Sequence, residues 1–127
     1  MITVGLDFGT HQTKVCIEEK NGAELSYSFF KFIDTDGQLQ YTFPSIINVR
    51  EDGRLEYGFI SPESRRTLIR YFKQSAFRNT PESLIPLEDA MMCSIWYIAF
   101  ILFVLEEKYG QEFTIQMGAP TDSSQRR

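Results

Sequence analysis

Val4-Gly5-Leu6-Asp7-Phe8-Gly9-Thr10, followed by His11, Gln12 and Thr13, is the stretch on which the fold turns. Ile2 to Phe8 is rich in strand-forming residues, and Thr13 to Glu18 resumes an extended pattern after Gly9-Thr10-His11-Gln12 interrupts it. That arrangement predicts a β-hairpin. Further out, Asn21-Gly22 is a two-residue turn signal, because both residues tolerate positive φ, and Ala23 to Ile33 reads as a third strand. The N-terminal part is therefore expected to be an antiparallel meander. Asp36-Gly37 marks another turn, and Tyr41 to Arg50 reads as a strand whose Pro44 belongs at an edge or bulge. Glu51-Asp52-Gly53 then turns the chain back onto Arg54 to Tyr57.

From Pro62 the pattern becomes helical: Arg66, Arg70 and Lys73 fall on one face, with Leu68, Ile69 and Phe72 available to bury the other. A solvated helix face explains this basic stripe better than contact with phosphate or nucleic acid. Pro81 and Pro86 break the chain, and Pro86 suits the first position of a long helix whose opening turn carries Glu88 and Asp89. Lys108 and Gly110 mark its end. Between them the sequence is apolar nearly all round, which implies a helix covered on several sides. Glu112 to Met117 reads as a final strand. Strands, a short helix, a long helix and a strand predict an α/β fold: a mixed sheet with an antiparallel N-terminal meander and a long buried helix on its face.

The chain has 127 residues, the size of one domain. With 43% hydrophobic and 24% charged residues, it is neither disordered nor fibrous. Thirteen Lys and Arg against seventeen Asp and Glu give a net charge of −4, which repels a phosphate backbone or an anionic bilayer. Nucleic acid and membrane surfaces are therefore not expected partners. Cys16 and Cys93 stand far apart without metal-ligand spacing, and the N-terminus has no basic segment ahead of an apolar one. A reducing, cytoplasmic location is the expectation. The uncharged run Met91 to Leu105 falls short of the roughly twenty residues a membrane helix needs and reads as a core helix.

Asp7 places a carboxylate at a strand end, and Gly9 lets the backbone turn closely. Thr10, His11, Gln12 and Thr13 then surround a loop whose N–H groups can converge on one concavity. Such a nest binds phosphate oxygens, and the carboxylate can hold the water shell of a magnesium ion riding on them. The same residues also make an ordinary hairpin turn, with Gly9 chosen for its dihedral angles and Asp7 as a turn cap. Neither a Walker loop nor a dinucleotide-binding fingerprint is present.

Val4-Gly5-Leu6-Asp7-Phe8-Gly9-Thr10 with Thr13 resembles the first phosphate motif of the actin, sugar-kinase and seventy-kilodalton heat-shock ATPase superfamily. Phe43-Pro44-Ser45-Ile46-Ile47, then Asp52-Gly53 and Gly58, resembles the Thr-Pro-Ser-Val-Val segment and following hairpin of the heat-shock (DnaK-type) branch. Phe72-Lys73, Arg78, Pro86-Leu87-Glu88, Phe113-Thr114-Ile115 and Ser124-Gln125-Arg126 continue the likeness in the same order. The resemblance implies that residues 1–127 are a partial first lobe of an RNase H-like (actin-like ATPase) nucleotide-binding domain. It further implies ATP or ADP and Mg2+ as ligands, Asp7 near the magnesium and the attacking water, and Gly9, Thr10, His11 and Gln12 around the β- and γ-phosphates. Unfolded clients and co-chaperones would engage other domains.

Several positions depart from that pattern. Pro62 stands where the family has a lysine that reaches the γ-phosphate, which leaves Arg65, Arg66 and Lys73 as nearby cations to stand in for it. His11 replaces a hydroxyl residue, and Met117-Gly118-Ala119-Pro120 matches the family's Val-Pro-Ala stretch only in outline. No second Asp-x-Gly-[Gly/Thr]-Thr occurs in the sequence, so no significant ATPase activity is expected of this chain alone. Self-association is expected if the far face of the long helix is left uncovered. A sugar kinase of the same superfamily and a non-catalytic interaction module with the same fold are the competing readings. Trp96, Tyr97, Phe100 and Phe103 read as core packing, and Asp34, Asp36, Glu51 and Asp52 as turn chemistry rather than a calcium loop.

Overall fold

The computed structural model describes residues 1–70, 72–73 and 87–117. Alternation of buried residues along β1 (Ile2–Phe8) and β2 (Gln12–Asn21) gives the sheet one apolar face, formed by Val4, Leu6, Phe8, Val15 and Ile17. β1 and β2 pair antiparallel, with Leu6 opposite Val15 and Phe8 opposite Thr13. β3 (Glu24–Phe29) continues the meander. The connecting loop is Gly22-Ala23, one residue on from the expected Asn21-Gly22, because Gly22 at φ 64° takes the first loop position. The expected third strand breaks after Phe29 and resumes as the short β4 (Phe32–Ile33), paired with β5 (Leu39–Gln40). Asp34 closes that turn: one carboxylate oxygen accepts from the Asp36 and Gln38 amides, the other from the Gln40 side chain.

The segment read as one strand from Tyr41 to Arg50 serves two sheets. β6 (Thr42–Pro44) pairs with β2, and β7 (Ile47–Val49) is the centre of a second sheet, between β8 (Leu55–Tyr57) and β9 (Thr67–Ile69). β9 corrects the expectation of a basic-striped helix running from Pro62. Pro62–Ser64 forms a helical turn of the 3-10 type, Thr67–Ile69 is extended along β7, and among the described residues of this segment α-helix is present only at Phe72 and Lys73. The reason is Asn48, which is fully buried: its amide donates to Glu56 Oε1 and the Ser64 carbonyl, and its Oδ1 accepts the Arg66 N–H. A buried amide with its hydrogen bonds made outweighs weak helical periodicity. Arg66, Arg70 and Lys73 therefore do not share a helix face. Arg66 and Arg70 flank β9, while Lys73 is buried.

The long helix, α1 (Leu87–Tyr109), and β10 (Phe113–Met117) fall where the sequence placed them, although Pro86 lies outside the described residues. Gly110 ends α1 with φ 76° and an N–H bonded to the Glu106 carbonyl. β10 lies parallel to β1 at the sheet edge, giving the order β10-β1-β2-β3 with β6 also on β2, so the mixed sheet is present. Ala90, Cys93, Tyr97, Ile101 and Leu105 lie in one core with the apolar face of β1 and β2.

The expectation of a helix covered on several sides is not met among the described residues. Met92, Ile95, Trp96 and Phe103 remain exposed, with Phe103 at 57%. Among those residues α1 is the one helix long and apolar enough to cross a membrane, and a third of its most apolar stretch is buried within the fold. The opposite sheet face is open too and carries Tyr27 and Phe29, with Tyr41 edge-on to Phe29 and the Lys31 ammonium 5.4 Å from the Tyr41 ring centre.

Phe43 is the aromatic hub between the two sheets and α1. Its ring stacks with Phe32 at 4.6 Å, Tyr97 at 5.8 Å and Phe100 at 6.0 Å between centres. Gly58 lies against that ring at φ 78°, and a Cβ there would overlap it. Gly58→Ala is therefore expected to cost more than about 2 kcal/mol by urea denaturation, combining a left-handed backbone with overpacking. Gly53→Ala, at φ 86° with open space around it, is expected to cost only the backbone part, about 1 kcal/mol.

Candidate functional site

β1 ends at Phe8 and β2 begins at Gln12, so Gly9, Thr10 and His11 form the connecting loop and Gln12 is the first strand residue. Asp7 is exposed on the face opposite the core, across the ladder from Lys14. Gly9 and Thr10 are half-buried, whereas His11 and Gln12 are exposed. All five predicted site residues thus lie at one end of one hairpin.

Glycine is required at position 9 for a reason the sequence did not distinguish. Gly9 is not among the positive-φ glycines. Its missing Cβ makes room for the Gln12 carbonyl, which lies where a Cβ would be. The tip is therefore narrower than a side chain at position 9 permits.

Ser45, the residue after β6, holds this tip in place. Its hydroxyl donates to the Gly9 carbonyl at 2.8 Å, and its N–H donates to the His11 carbonyl at 2.9 Å. In a planar trans peptide the N–H points opposite to the C=O. The Thr10 and Gln12 N–H groups, which share peptide planes with those carbonyls, are thus turned away from Ser45. Fixing two carbonyls aims two amide donors.

Beneath the tip, Tyr97 of α1 is fully buried, and its hydroxyl lies 3.1 Å from Thr13 Oγ1 and 3.0 Å from the Phe43 carbonyl. A carbonyl only accepts, so the Tyr97 proton goes to Phe43 and the Thr13 hydroxyl donates to Tyr97. One phenol oxygen thereby joins α1 to β2 and β6, immediately under the loop. Sequence reading took Tyr97 for packing alone. The available signal was a single phenol in the buried stripe Ala90, Cys93, Tyr97, Ile101 and Leu105, where it needs partners.

Among the described residues no three His, Cys, Asp or Glu side chains converge into a metal-binding group. Asp7 is thus a lone carboxylate. It suits a magnesium ion that keeps most of its waters and arrives on a phosphate chain, and does not suit a metal held by protein alone. Of the cations considered as replacements at the Pro62 position, Arg65 and Arg66 line an open cavity with Arg50, Glu51, Asp52 and Glu63, beside the second sheet. Pro62 itself is exposed at the start of the 3-10 turn. The likeness drawn from Arg78, Pro86 and Ser124 to Arg126 falls outside the described residues. No protein-family model matches the sequence, and no curated protein matches it as a relative.

Burial pushes the Tyr97 phenol up to about 12, with the neighbouring Thr13 and Ser45 hydroxyls pulling partly the other way. An unfolded phenol ionises near pH 10, so between about pH 10 and 12 the unfolded state loses a proton that the folded state keeps. Stability is expected to fall across that window by about 2–3 kcal/mol and to level off above it. The comparison of interest is denaturation of the unaltered chain and Tyr97→Phe at pH 9 and 11.5. At pH 9 the variant is less stable by about 1–2 kcal/mol, and its alkaline fall is smaller by the Tyr97 share.

Proposed function

We propose that the chain is a nucleotide-phosphate-binding lobe of the actin-like ATPase type, RNase H-like in fold and related to DnaK-type chaperones. The observation that carries this reading is the Ser45 clamp, which turns the Thr10 and Gln12 amides away from Ser45 at the tip of the hairpin that carries the exposed Asp7 carboxylate. Oriented backbone amides at a glycine-narrowed tip form an anion nest, and a carboxylate next to it suits the magnesium of MgATP or MgADP. The parallel β10 beside β1 and the α1 crossover between them also suit an RNase H-like sheet. Asp7 is the residue assigned to magnesium and water, and Gly9, Thr10, His11 and Gln12 to phosphate. A second phosphate motif is lacking in the sequence, so binding without significant turnover is the expected activity of this chain.

Reading α1 as a core helix rather than a membrane span is supported by the Tyr97 hydroxyl bonds, which a helix removed from the sheet would forfeit. A cytoplasmic setting suits two unpaired thiols. The α1 stripe of Met92, Ile95, Trp96 and Phe103 is the surface through which the isolated chain self-associates.

Two measurements test these assignments. In calorimetric titration with MgATP, the chain is expected to bind, and Asp7→Ala and Thr10→Ala each to weaken binding at least tenfold; equal affinity in all three chains would contradict the site. In sedimentation equilibrium at micromolar concentration the chain is expected to be oligomeric and Phe103→Glu monomeric. A monomer in both cases would remove the self-association surface.

A further inference from the structure

Among the described residues β3 pairs with β2 alone, and every one of its residues is exposed. The ladder fixes which of its backbone groups are left over. Phe30 N–H donates to the Val15 carbonyl at 2.8 Å, in the register that sets Phe29 opposite Cys16. Hydrogen-bonded pairs recur at every second residue of an antiparallel ladder, so the bonded pairs are Ser28 with Ile17, Ser26 with Glu19 and Glu24 with Asn21. Leu25, Tyr27 and Phe29 therefore turn their N–H and C=O groups to the free edge. The same three residues carry exposed apolar side chains, on the sheet face opposite Val15 and Ile17. Edge strands are ordinarily blunted by proline, a bulge or a charge in mid-strand. β3 has an unbroken register, no proline and a single charged residue, Glu24, at its start. At its Phe29 end, a cavity of about 590 Å³ is lined by Lys14, Ser28, Phe29, Lys31 and Tyr41, which include two lysines and no acid. Asp7 lies across the ladder from Lys14, yet neither lysine forms an ion pair among the described residues.

We propose that β3 is a docking edge for an extended segment of a partner protein, with apolar residues at alternate positions and a carboxylate at the end that meets Lys14 and Lys31. Backbone donors and acceptors repeating at every second residue are matched by another extended backbone, which makes the occupant a polypeptide strand. Its alternate side chains fall on the face of Leu25, Tyr27 and Phe29, and those three call for apolar partners. Charge sets the polarity of the guest. Glu18 and Lys20 face Tyr27 and Leu25 across the ladder, so the cationic end of the stripe is the Phe29 end. Antiparallel pairing is the more stable of the two kinds, and an antiparallel guest begins at that end, so its carboxylate is N-terminal. The assignment is independent of the phosphate reading, because it uses neither the Thr10 and Gln12 amides nor Asp7.

The test is fluorescence polarisation with a labelled, end-capped peptide, Asp-Thr-Val-Thr-Val-Thr-Val, whose β-branched residues favour an extended chain and whose valines share one face with the aspartate. It is expected to bind the unaltered chain. Methylating the amide nitrogen of the central valine removes one edge hydrogen bond and adds a clash, and is expected to weaken binding roughly tenfold or more. Lysine in place of the aspartate is expected to weaken it roughly three- to tenfold, and Lys31→Glu to reverse that preference. On the protein side, Tyr27→Pro deletes an outward N–H without taking a bond from the β2 ladder, so it is expected to lose binding that Tyr27→Ala largely keeps. Should Tyr27→Pro not fold, the methylated peptide makes the same test on an unaltered chain. No binding at millimolar peptide, or equal binding of the methylated peptide, overturns the docking edge. Equal binding of the aspartate and lysine peptides overturns the acidic partner. Slow amide exchange at Leu25, Tyr27 and Phe29 without any peptide, lost on dilution, gives the edge to a second copy of the chain and overturns the partner assignment.

Discussion

A buried phenol oxygen holds three parts of this molecule together. Tyr97 reaches from α1 to Thr13 of β2 and to the Phe43 carbonyl of β6, and all three sites lie within the core. Apolar contacts alone leave a helix free to slide along a sheet, since dispersion and the hydrophobic effect have little directional preference. A buried hydroxyl with two fixed partners does have such a preference, because displacement leaves polar groups unpaired at a cost of about 1–3 kcal/mol each. The register of α1 on the sheet therefore follows from Tyr97. β6 is placed by the same atom, and Ser45, the residue after β6, is thereby brought under the hairpin tip.

The aromatic cluster gives that anchor its surroundings. Phe8, Phe43, Phe72 and Tyr97 stack or tilt against one another, and Phe43 extends the cluster to Phe32, Phe59 and Phe100. Rings of this size carry large buried areas with few rotatable bonds, which suits a rigid platform beneath a binding loop. Gly58 is the concession the second sheet makes to Phe43, since only a residue without a Cβ lies that close to the ring. Rigidity at the hairpin and exposure on the far side of α1 thus arise from one arrangement. The helix spends its buried stripe on the sheet and leaves Trp96 and Phe103 uncovered.

Local chemistry was legible in the sequence, and long-range chemistry was not. Gly22, Gly37, Gly53 and Gly110 all take positive φ at turns or a helix end that their neighbours announced. The apolar run that became α1 and the strand that became β10 were equally plain. β9 was not, because Thr67–Ile69 is a strand only by virtue of β7 and the Asn48 amide, eighteen or more residues earlier. The candidate site was read as a loop with the right residues. What the sequence could not supply was the Ser45 clamp and the reason for Gly9, a close approach by the Gln12 carbonyl where a dihedral requirement was equally plausible. Lys73 was grouped with Arg66 and Arg70 by spacing, and burial separates it from them. Pairing across a fold, rather than composition along it, decides each of these cases.

The most direct test of the hairpin as a phosphate site is a ¹H–¹⁵N correlation spectrum of the chain titrated with MgATP. The expected result is that the largest shifts fall on the Thr10 and Gln12 amides, with smaller ones at Gly9, Thr13 and Ser45, while Phe29, Lys31 and Tyr41 on the open sheet face stay in place. Hairpin amides that remain unmoved at millimolar nucleotide, or shifts centred instead on Phe29, Lys31 and Tyr41, would contradict it.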